Sequence, residues 1–86
     1  MKDGDDTPMT VVEGPGGRWL ERAGERVPLA ERDWSHLRRR TPLGRKVYFR
    51  RRAMELVEDG ALREAEILIG WARLPAKEWV IREFRP

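Results

Sequence analysis

The chain reads as an α+β domain, mainly α, in which a short N-terminal β-hairpin precedes a helical bundle containing a helix-turn-helix. Three observations predict this. Short β-prone runs separated by Gly/Pro clusters occupy the residues up to Leu29. From Ala30 onward, apolar residues recur at helical rather than alternating spacing. Near the end, Gly70 and Pro75 bracket a short gap between two helical stretches, the skeleton of two helices joined by a turn.

Residues 1–8 carry no hydrophobic pattern, and a mobile tail is expected there. Met9-Thr-Val-Val-Glu13 and Arg18-Trp-Leu-Glu-Arg22 flank Gly14-Pro-Gly-Gly17 and read as two strands around a turn. After Ala23-Gly24-Glu25, the run Arg26-Val-Pro-Leu29 offers a third strand. Pro28 has no N–H to donate, which confines that strand to a sheet edge. So small a β element is not stable alone, so residues 9–29 are expected to pack on the helical unit of residues 30–86 as one domain.

Ala30, Trp34 and Leu37 recur at i, i+4 and i+7 and give a first helix. Thr41-Pro42 is a helix start, with Thr as N-cap and Pro at the first helical position. The second helix runs from Pro42 to Glu58, with Phe49, Ala53, Leu56 and Val57 on its inner face, and Asp59-Gly60 stops it. A third helix over Ala61 to Ile69 turns Leu62, Ala65, Leu68 and Ile69 inward and ends at Gly70. Pro75 then opens a last helix reaching about Phe84, with Ala76, Trp79 and Val80 inward.

The formal charge of +3 is unevenly spread. Residues 1–30 carry four basic and six acidic side chains, a net of −2; residues 31–86 carry fourteen and nine, a net of +5. Residues 38–52 hold eight cations and no acid, a concentration that favours polyanions through counterion release. Arginine outnumbers lysine 15 to 3, and Asn and Gln are missing, a thermophile-like composition. Without cysteine there is neither a disulfide nor a thiolate metal site. No apolar run approaches the roughly 20 residues of a membrane span, and the acidic start lacks the apolar core of a secretory leader. A cytoplasmic, nucleoid-associated location is expected, with no membrane, cofactor or small-molecule substrate.

Arg63-Glu-Ala-Glu-Ile-Leu-Ile-Gly70 is followed by Trp71-Ala-Arg-Leu-Pro-Ala-Lys-Glu-Trp79-Val80. This stretch, with Arg52-Ala-Met-Glu-Leu-Val-Glu-Asp-Gly60 before it, resembles the DNA-binding segments of insertion-sequence transposases and related small phage regulators. The similarity covers about 35 residues and needs no gap from Arg63 to Val80. The resemblance implies a turn at Gly70 and a recognition helix presenting Arg73, Lys77, Glu78 and Arg82 to base edges in the major groove of double-stranded DNA. Arg45, Lys46, Arg50, Arg51, Arg52 and Arg63 are the expected phosphate contacts. Where that family carries Ser or Thr, this chain has Ala72, Leu74 and Pro75. With neither Asn nor Gln, the usual bidentate adenine readers are missing, so direct reading falls to arginine on guanine. The function expected is sequence-selective regulation of transcription, or a mobile-element or phage role.

Catalytic patterns are thin. His36 and Ser35 are the only residues of their kinds and are adjacent, so they do not face each other on a helix. Gly14-Pro-Gly-Gly17 lies between strands rather than before a helix, and nothing has metal-ligand spacing. No enzyme activity is expected. Trp34, Trp71 and Trp79 fall on inward positions, whereas Trp19 on the hairpin is either packing or an anchor for a protein partner. The alternative function is therefore an accessory factor that docks on transcription or recombination machinery through its hairpin and tryptophans, and a homodimer fits either reading. A third arrangement has the hairpin reach the minor groove through Arg18 and Arg22.

Overall fold

The computed structural model describes residues 8–83, and all but Pro8 of the expected tail lies outside them. Three antiparallel strands come first: β1 (Met9–Gly14), β2 (Gly17–Arg22) and β3 (Glu25–Leu29). Three helices follow, α1 (Glu31–Arg39), α2 (Pro42–Glu58) and α3 (Leu62–Ala72), then a 3-10 turn over Ala76–Trp79 and a last strand β4 (Ile81–Glu83). The fold is α+β with its N-terminal strands ahead of the helices, as the sequence predicts. The sheet order is β3-β2-β1-β4, and β4 lies parallel to β1.

Strand alternation puts Met9, Val11, Leu20, Val27 and Leu29 on one sheet face, against Leu37, Phe49, Ala53, Leu68, Trp71 and Trp79 of the helical layer. Gly17 and Gly24 carry positive φ in the two turns that set this register, at 130° and 83°. Pro28 sits on edge strand β3, as its missing donor requires. Thr41 caps α2, its hydroxyl accepting from the Gly44 amide at 3.1 Å with Pro42 at the first position. The chain leaves α2 through Asp59-Gly60, where Gly60 takes φ 84°.

The C-terminal third departs from expectation. Gly70 does not end a helix: α3 runs through it to Ala72, so that Trp71 and Ala72 are buried. Burial of an indole outweighs the roughly 1 kcal/mol that a mid-helix glycine costs relative to alanine. The recognition helix expected from Pro75 to about Phe84 is not formed over its described part, Pro75 to Glu83. Pro75 holds Leu74 away from helical geometry, the turn Ala76–Trp79 has no side-chain cap, and β-branched Val80 and Ile81 lead into β4 on the open edge of β1. Helices α2 and α3, joined at Asp59-Gly60-Ala61, are the helical pair that does form. Leu62, Val57 and Val80, expected inward, are exposed, and Ile67 is buried instead.

The glycine makes a direct test. A Cβ at Gly70 meets nothing within 4 Å, and its φ is not in the left-handed region. Gly70→Ala is therefore expected to stabilise the protein by about 0.5–1 kcal/mol in chemical denaturation. A glycine serving as a helix-turn-helix bend at that position gives the opposite sign, since alanine is strained at positive φ.

Candidate nucleic-acid interface

Cations on this molecule fall into two groups. In the first, carboxylates consume the charge. Arg18 binds Glu13 at 2.7 Å and Glu31 at 3.2 Å, Arg26 binds Glu21 at 3.0 Å, and Arg32 binds Glu55 at 2.7 Å. Arg22 faces Glu78 at 4.0 Å. Arg52 sits between Asp33 and Glu55, at 3.2 and 3.3 Å. These residues belong to the sheet, to α1 and to the inward side of α2.

Arg45 is consumed differently. It donates to the carbonyls of Leu37 and Trp79, both at 2.9 Å, and so ties the end of α1 to the turn that precedes β4. Burial lowers its pKa from the ordinary arginine value. Two expected phosphate contacts, Arg45 and Arg52, are thus committed to holding the fold. Arg18 and Arg22, the hairpin cations, are paired as well.

In the second group are Arg38, Arg39 and Arg40 at the end of α1, Lys46, Arg50 and Arg51 on α2, Arg63 on α3, and Arg73 just after it. All but half-buried Lys46 are exposed. Among the described residues none of these eight has a carboxylate within ion-pair distance. Arg40 is held in place, its Nε donating to His36 Nδ1 at 2.8 Å, and the imidazole is stacked on Tyr48 at 4.2 Å.

Between these cations runs an apolar ridge with no counterpart in the sequence-based expectation. Leu43, Val47 and Met54 are 60%, 52% and 62% exposed. At about 3.6 residues per turn they share the outward line of α2, with Lys46 and Arg50 on one side and Arg51 on the other. A shallow depression lies along each flank. One, of about 420 Å³, is lined by Arg40, Leu43, Val47 and Arg51. The other, of about 440 Å³, is lined by Lys46, Arg50, Met54, Ile69 and Arg73. The signal was present in the sequence as apolar residues at 43, 47 and 54, opposite the Phe49–Ala53 face. A helix apolar on two sides does not announce itself through periodicity.

The four expected base contacts do not share a surface element. Arg73 follows α3 and joins the second depression, Lys77 is exposed on the 3-10 turn, Glu78 is half-buried facing Arg22, and Arg82 is exposed on β4. Trp19, read from the sequence as either packing or a partner anchor, is half-buried over its own turn, and a Cβ at Gly14 would meet the indole at 3.3 Å. Trp71 and Trp79 are core, and Trp34 is half-buried with Arg18 over its ring at 4.8 Å.

No helix among the described residues is long and apolar enough to cross a membrane. No protein-family model, curated protein or solved structure matches this chain.

Proposed function

We propose that the protein is a non-catalytic binding module for duplex DNA, and that α2 rather than a C-terminal recognition helix is the element that meets the duplex. One observation carries the proposal: charge is segregated. Six carboxylates, in seven ion pairs, neutralise the arginines of the sheet side, whereas the surface around α2 keeps its cations unmatched among the described residues. An unmatched cationic surface is electrostatically unfavourable by self-repulsion and is relieved when a polyanion displaces its counterions. The cations stand on both flanks of one 17-residue helix, an arrangement suited to phosphates on the two sides of a groove about 12 Å wide. Glu58 and Asp59 mark the end of the usable face, so contact belongs to the part of α2 from Pro42 to Met54.

The test is a salt titration. Affinity for a duplex of mixed sequence is expected to fall on a log–log plot with a slope of about −0.9 per phosphate engaged. Arg40, Lys46, Arg50, Arg51 and Arg73 together give a slope near −4 to −5 on that basis. The double variant Arg50→Ala/Arg51→Ala is expected to reduce the magnitude of the slope by about 2 and to weaken all sequences alike. Both side chains are exposed, so its fold is retained. Salt-independent association, or a slope unchanged in the variant, is incompatible with this interface.

A further inference from the structure

From the apolar ridge we infer what the interface reads in DNA: the 5-methyl groups of thymine in the major groove. The inference presupposes that duplex DNA is the ligand and adds a base preference to it. Leu43, Val47 and Met54 span about 16 Å of helix, equal to four or five base-pair steps. They stand at the centre of the cationic face, where base edges lie once the flanking arginines reach phosphates. None carries a hydrogen-bond donor or acceptor to match to a base, apart from the weakly accepting thioether of Met54. The one base-edge feature in the major groove that apolar side chains recognise is the thymine methyl. Pressing such a ridge against the bare polar edge of a G·C pair leaves donors and acceptors without water or partners, which disfavours those steps.

Exposed Leu, Val and Met also suit a protein interface, so the occupant must be argued. Charge decides it. Pairing two copies along this helix brings their Arg50–Arg51 pairs together near the middle of the contact, in register or antiparallel, with no acid between them. Acids of α2 begin only at Glu55, which is already shared by Arg32 and Arg52. The ridge therefore fits an anionic occupant rather than a second copy, and phosphates on both flanks meet that condition.

The experiment compares one duplex in two chemical forms. A 20-base-pair A·T-rich duplex is made with thymine or with deoxyuracil, which removes only the methyl groups, and binding of the full chain is measured at one salt concentration. Each methyl buried against the ridge is worth about fourfold in affinity, so with two methyls buried the uracil form is expected to bind about sixteenfold more weakly. A G·C duplex is expected to gain when cytosine is replaced by 5-methylcytosine. Met54→Ser is expected to shrink the thymine-to-uracil ratio while leaving the salt slope alone.

Equal affinity for thymine and uracil, with the salt dependence intact, overturns the inference and leaves DNA binding standing. A loss with uracil but no gain with 5-methylcytosine points to groove shape and overturns it too. Failure to bind any duplex at low salt removes the DNA reading itself. Sedimentation as a dimer that Met54→Asp dissociates assigns the ridge to a second copy and likewise rejects the inference.

Discussion

Asp33→Ala is expected to cost about 3–5 kcal/mol, most of the stability of a chain this size. Asp33 is 1% exposed, and each of its oxygens is engaged. Oδ2 accepts the backbone N–H of Ala30 at 2.9 Å, closing the first turn of α1, whose N-cap residue has no polar side chain. Oδ1 accepts from the Tyr48 hydroxyl and from Arg52 Nε, which join α1 to α2. Removal leaves the Ala30 amide and a partly buried phenol without partners, and Arg52 keeps only Glu55. Asp33→Asn is expected to fall between, because its amide nitrogen turns a donor toward a donor on one side or the other.

Tyr48 supplies an internal readout for that variant. Burial, and then its bond to the Asp33 carboxylate, raise its pKa above the ordinary phenol value of 10.0. The folded protein thus holds this proton more tightly than the unfolded chain. The contribution is full below the unfolded phenol value and is lost as pH rises beyond it. Tyr48 is the only tyrosine, so ultraviolet absorbance follows its ionisation without overlap from another phenol. Ionisation in the native protein is expected to be delayed until alkaline unfolding, and to move toward pH 10 in Asp33→Ala wherever that variant remains folded. An unshifted phenol in the native protein contradicts the buried bond.

What the sequence disclosed follows the range of the forces involved. Local turn chemistry places all three N-terminal strands, because Gly14–Gly17 and Ala23–Gly24 decide their ends without outside help. Thr41-Pro42 and Asp59-Gly60 define α2 for the same reason. At Gly70 a local signal pointed the wrong way. Its helical cost is small, and burying Trp71 and Ala72 on the next positions exceeds it. Strand β4 pairs with β1 some seventy residues away, and a three-residue strand carries no periodicity to betray it. The base-reading set of Arg73, Lys77, Glu78 and Arg82 depended on a helix through those residues, and it dispersed with that helix.

For the candidate site the charge run itself was legible, whereas the division of labour inside it was not. Arg45, Arg50, Arg51 and Arg52 look alike in one dimension. Only the positions of the Leu37 and Trp79 carbonyls and of Asp33 separate the two that hold the fold from the two that face solvent. The ridge was hidden for a related reason. Phe49 and Ala53 satisfy the search for an inner face on α2, and Leu43, Val47 and Met54 become noteworthy only once the core is found to be complete without them.

Trp79→Ala is expected to produce the second large loss, about 3–5 kcal/mol. The residue is 0% exposed and has three separate attachments. Its ring stacks on Phe49 at 5.5 Å and 14°, its Nε1 donates to the Trp71 carbonyl at 3.2 Å, and its own carbonyl accepts from Arg45 at 2.9 Å. Together these fasten the 3-10 turn to α2 and α3, and so hold β4 against β1. Three residues of strand cannot keep that pairing without an anchor. Amide exchange is therefore expected to show lost protection along the β1–β4 ladder in any folded Trp79 variant, while β2–β3 amides keep theirs. Trp79→Phe retains an aromatic ring for Phe49 but not the Trp71 bond, so its loss is expected to be smaller, about 1–2 kcal/mol. A loss under 1 kcal/mol in Trp79→Ala, with the ladder still protected, means that β4 is anchored by something other than this indole.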